Sequence, residues 1–178
     1  MRFGLVLVLV LALGSGCTGE PRPPAVVRLE RERARAAASM AAAGQSLADH
    51  GARSVAARGQ PERAGALHQR VLDAQLAVEC FDEAERAYLL AIRYHLVRDR
   101  LASKPDETVA RMEDAARALE TDAVKLAKAA HDGDVAAAER ARSEAELDRA
   151  ALKALRTALG IATRIPEPEP EPEPEPAP

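Results

Sequence analysis

Apolar positions come first as one unbroken run, Phe3–Leu13, and thereafter as stripes spaced three and four residues apart. That spacing is the period of an amphipathic helix with one buried face. In the stretch 25–58 the stripe is Val26, Leu29, Ala36, Met40, Ala43 and Leu47, interrupted once by Arg33. Gly44 and Gly51 weaken its second half, where the helix is expected to bend or end early. The stretch 62–103 is the apolar heart. It holds 14 of the 32 large apolar residues between Ala25 and Ile165, and every aromatic outside the N-terminal run. A helix apolar round much of its circumference should touch several neighbours. In 106–131, Val109, Met112, Ala116, Leu119, Ala123, Leu126 and Ala130 keep strict spacing, a narrow seam of the coiled-coil kind. The stretch 135–164 shows its stripe at Leu147, Ala151, Leu155 and Leu159, with Leu152 beside it.

Helix breakers fall between these stretches. Of 12 prolines, only Pro61 and Pro105 lie between Ala25 and Ile165. Gly59-Gln60-Pro61 predicts a turn with proline at the first helical position, and Lys104-Pro105-Asp106 predicts a second break. In Asp132-Gly133-Asp134, the glycine suits a left-handed C-cap and Asp134 suits the next N-cap. Four helices joined by short turns should pack as antiparallel neighbours. The expected fold is all-α: an antiparallel up-down bundle of about four helices over 25–165. A disordered tether at 17–24 and a Pro-Glu tail at 166–178 flank it.

Composition sharpens the packing and excludes some functions. Forty of 178 residues are alanine, which favours helix but buries little area. Aromatics are 2% and tryptophan is absent, which argues against a sheet protein. The net charge of −3 divides unevenly: residues 17–165 carry 24 basic and 23 acidic side chains, and 166–178 carry five glutamates. With no basic block and no aromatic platform, nucleic acid is not an expected partner. In the tail, alternating proline excludes helix and sheet ladder. Its 13 residues would extend roughly 40 Å as a stiff acidic spacer or a solvated end.

Met1-Arg2 gives the apolar run a minimal positive flank. Eleven residues of helix cover roughly 16 Å, about half of a bilayer core of ~30 Å, so an export signal fits better than a span. Leu13-Gly14-Ser15-Gly16-Cys17 resembles the lipobox of bacterial lipoproteins, although Gly14 stands where that family usually has leucine. The resemblance implies a signal at 1–16, cut before Cys17, and acylation of Cys17, which would anchor the protein to membrane lipid. Thr18, where aspartate would favour inner-membrane retention in that family, points to the outer membrane facing the periplasm. With Cys17 acylated, Cys80 has no partner for an intramolecular disulfide and reads as a buried small hydrophobe.

Catalytic motifs are missing: there is no phosphate-binding glycine loop, no nucleophile elbow and no His-Glu-x-x-His pair. His50, His68, His95 and His131 each lack a histidine or cysteine one helical turn away. His95, at 3,4 spacing from Tyr88 and Ile92, reads as a satisfied, partly buried histidine. The segment Asp122–Leu159 is similar to the last helical hairpin of the cytochrome c′ and cytochrome b562 group, exported four-helix bundles that hold haem. Where that group has its attachment cysteines and axial histidine, this chain has Leu152, Leu155 and Arg156. Met40 is a loose counterpart of the first-helix methionine. Phe81–Ile92 resembles the second helix of a tetratricopeptide repeat at Ala84, Tyr88 and Ala91, but Leu96 replaces that family's proline.

The expected function is therefore a non-enzymatic, lipid-anchored envelope protein that acts as a scaffold or interaction module for another envelope protein. No catalytic site, metal or cofactor is expected. The alternatives are a small-ligand or haem-binding bundle of the cytochrome group, and a tetratricopeptide-like adaptor.

Overall fold

A computed structural model describes residues 22–163, and these form four long helices. They are α1 (Pro24–Ala56), α2 (Pro61–Val97), α3 (Asp106–Asp132) and α4 (Val135–Thr163), with a short 3-10 turn at Arg98–Arg100. The protein is an all-α four-helix bundle. Cys17 and the Pro-Glu tail lie outside the described residues.

Local chemistry sets each boundary. Pro24 and Pro61 open α1 and α2, where a missing N–H costs nothing. Asp106 and Glu107 place negative charge in the first turn of α3, favourable to its dipole. Gly133 closes α3 in the left-handed conformation (φ 75°), and its N–H donates to the Ala129 carbonyl at 2.8 Å. Asp134 then caps α4 by accepting the Ala137 N–H at 3.0 Å. Contrary to the expected weakening at Gly44 and Gly51, α1 runs unbroken to Ala56. Two glycines cost roughly 1 kcal/mol each against alanine. Burial of one face along α1 outweighs that.

Consecutive helices pack against each other along their lengths, but no Cα of α1 lies within 8 Å of α4. Each of these two also touches the α2–α3 pair on its second side, so they occupy the pair's two opposite grooves. The cross-section is thus a diamond with α2 and α3 on the short diagonal. Two of its edges join parallel helices. Along α1–α3 the ion pairs are Arg28–Glu113, Glu32–Arg117 and Arg35–Glu120, at one constant register. Along α2–α4 they are Asp73–Arg142, Glu79–Arg149 and Glu83–Arg156. Fewer backbone atoms come close along these two edges, and long side chains reach across them. Elsewhere the helices bury alanines, such as Ala36, Ala43, Ala77, Ala84, Ala123 and Ala145, in one shared core.

The seam expected for α3 is buried at every position. As expected for its composition, α2 touches α1, α3 and α4, and it contributes the largest buried side chains, Phe81, Tyr88 and Tyr94. In α4 the expected stripe is corrected. Leu152 and Leu159 are buried, but Leu147 is 73% exposed and Ala151 is exposed. The face that packs inward is Ala138, Ala141, Ala145, Leu152, Arg156, Leu159 and Thr163. In a helix this rich in alanine two faces satisfy the same period, and the true one includes an arginine that hydrophobicity alone rejects. Among the described residues, no helix is long and apolar enough to cross a membrane.

Candidate functional site

Three places in the bundle gather chemistry: its polar interior, one end, and the outer face of α4. In the interior, Glu113 of α3 takes a hydrogen bond from Arg28 at 2.5 Å and shares one with His95 Nε2 at 3.0 Å. Burial alone would raise its pKa, but the His95 bond and the charge of Arg28 prevail and hold the carboxyl below its usual range. Glu120 accepts both nitrogens of the Arg35 fork at 2.6 and 2.9 Å and the Tyr88 hydroxyl at 3.1 Å. Burial, with the Glu120 charge beside it, raises the Tyr88 pKa. At the surface, exposed Asp106 accepts a two-pronged Arg98 contact and the Tyr94 hydroxyl, all at 2.6 Å. The Arg98 bond, then Tyr94, depress its pKa strongly. Each of these carboxylates holds a cation and joins two elements, which is what a structural network does.

Cys80 is fully buried, and burial pushes its thiol up to about 12, far from a reactive thiolate. His95 is partnered and partly buried, as its spacing predicted. His68 is exposed on α2. Where the cytochrome c′ group attaches haem, Leu152 is fully buried, Leu155 is half-buried, and Arg156 lies against Glu83. Met40 is half-buried at the edge of the core. These side chains supply no haem ligand from the last helix.

The end of the bundle formed by the α1 and α3 C-termini and the α2 and α4 N-termini differs. His50 is 2% exposed, and neither ring nitrogen has a partner. Ser46, one turn earlier, has a buried hydroxyl without a partner as well. The fold brings His50 to His131, with ring centroids 6.4 Å apart, although each histidine stands alone in the sequence. Burial first, then the charges of Arg70, Arg53 and His131, lower the His50 pKa, with Asp49 opposing. Sequence reasoning missed His50 as a core position. The signal was present: the α1 stripe extended past Leu47 by three residues lands on it.

On the outside, α4 exposes Leu147, Ala151, Ala154, Ala158 and Ile161, spaced four and three residues apart. Leu147 and Ile161 are among the most exposed large apolar side chains described, at 73% and 76%. Lys153 is the one exposed charge between Ala150 and Ala162. This is the same spacing that elsewhere in the bundle packs helix on helix, here without a neighbour. No protein-family model, curated protein sequence or solved structure matches the chain significantly.

Proposed function

We propose that the chain is a lipid-anchored protein of the bacterial cell envelope that acts without catalysis, docking a helix of another envelope protein on the outer face of α4. The observation that carries this reading is that face: a heptad-spaced apolar row, nearly free of charge, on a helix that lacks the α1 neighbour of a closed bundle. Scattered exposed apolar residues are ordinary, but a periodic row of them marks an interaction surface. Its small residues would let a partner helix approach closely, with Leu147 and Ile161 as anchors.

The lipobox-like Leu13–Cys17 supports the anchor. Seven residue steps separate Cys17 from Pro24 and can span at most roughly 23 Å, so acylation would hold the N-terminal end of α1 close to the bilayer. Because α4 runs antiparallel to α1, the Ile161 end of its face would lie toward the membrane, where an integral or peripheral envelope protein could meet it.

The test is photo-cross-linking in cells, with a benzophenone side chain at Ala154 and, as control, at Ala41 on the exposed side of α1. A discrete adduct with a second protein at Ala154, absent at Ala41 and lost with Leu147→Glu, is expected. Equal patterns at both positions would refute the docking face. In parallel, palmitate labelling of wild type but not of Cys17→Ser is expected, and equal labelling removes the anchor.

A further inference from the structure

Between the N-terminal part of α2, the C-terminus of α3 and the start of α4 lies a cavity of about 330 Å³. Part of its wall is aliphatic and built of small side chains, Ala66, Ala129, Ala130, Val135 and Ala138, and the rest is polar or charged. One cation on that wall stands apart. Arg70 is half-buried, and its guanidinium makes no ion pair or hydrogen bond among the described residues. The arginine beside it, Arg142, is committed to Asp73 through two hydrogen bonds of 2.6 and 2.9 Å.

The position of Arg70 is built into the fold. Its guanidinium lies over Gly133, where an added Cβ would come within 1.9 Å of Nη2. Glycine at that position thus serves the left-handed turn and also clears the space for the arginine. The N-terminus of α4 opens on the same cavity at Val135 with partial positive charge, and the last turn of α3, at Ala129 and Ala130, brings partial negative charge. His50 and His131 stand nearby, and the charge of Arg70 is felt at the buried His50 ring. Of the acids on the wall, Asp73 is paired with Arg142, Asp134 caps α4, and Glu139 is exposed to solvent. A guanidinium without a protein partner suits an oxyanion, and the alanine and valine part of the wall suits a short aliphatic body rather than a bare inorganic anion.

We propose that this cavity binds a small carboxylate with a short aliphatic body, its carboxylate paired with Arg70 and its body against the alanine wall. The site is separate from the α4 face and does not depend on it.

The test uses the full-length chain purified in non-ionic detergent, followed by NMR at the His50 and His131 rings and the Gly133 amide. The probes are butyrate, butylammonium of the same length, and inorganic phosphate. Butyrate is expected to shift these signals saturably and to raise the His50 pKa, because it screens Arg70. Arg70→Gln is expected to weaken butyrate about tenfold or more, the loss of a charge-assisted bond. The assignment is overturned if butylammonium shifts the same signals equally, or if phosphate binds as tightly as butyrate. It is also overturned if Arg70→Gln binds undiminished. Should that variant not fold, an unmoved His50 pKa in saturating butyrate overturns it in the wild-type chain.

Discussion

Two oxygens of Glu120 meet three donors, two from Arg35 and one from Tyr88, while the residue itself is 5% exposed. Removing the carboxylate strands a buried hydroxyl and half of an ion pair. Glu120→Ala is expected to cost about 2–3 kcal/mol, and Tyr88→Phe only about 1, read as shifts in the urea midpoint at constant slope. His50 presents the opposite case, a buried group with nothing to bond. Its folded pKa lies below the ordinary value of about 6.5. The unfolded chain therefore takes up a proton that the folded chain resists. This contribution is full above about pH 6.5 and declines as the pH falls toward the folded value. His50→Leu is expected to flatten that decline and to raise stability at neutral pH. An unchanged pH slope would remove His50 as its source.

At the scale of the element, glycines separate two kinds of position that look alike in the sequence. Gly133 has a positive φ and lies against Arg70, so Gly133→Ala should destabilise by about 1–2 kcal/mol. Gly44 sits mid-helix with nothing within 4 Å of an added Cβ. Gly44→Ala should stabilise by about 0.5–1 kcal/mol. Thermal unfolding of both variants distinguishes them by sign. The α3 seam and the Gly133-Asp134 double cap were legible because strict periodicity and cap chemistry are local properties. The α4 face was not. Alanine satisfies any stripe equally well, and the buried stripe includes Arg156, which only Glu83 on another helix makes tolerable.

Over the whole molecule, α1 and α4 flank a central α2–α3 pair without meeting. Core substitutions on the two outer helices should then be nearly independent. Leu29→Ala and Leu159→Ala, both at fully buried positions, are expected to add within about 0.5 kcal/mol in a double-mutant cycle. A larger coupling energy would mean that the bundle closes in solution. The apolar row of α4 stays exposed because α2 and α3 cover only its other faces, so packing at this scale decides whether a docking face exists at all.

The sequence by itself determined the helices, their breaks and the caps between them, and it placed every aromatic outside the N-terminal run on α2. Period, proline and glycine act within a few residues, and 40 alanines leave little else to form. Tertiary structure alone decided which α4 face turns inward, which charges meet across the two parallel edges, and that His50, His131 and Arg70 share one end. Those outcomes depend on which helices become neighbours. Pair contacts between residues some seventy to eighty-five positions apart carry no local signature in an alanine-rich chain.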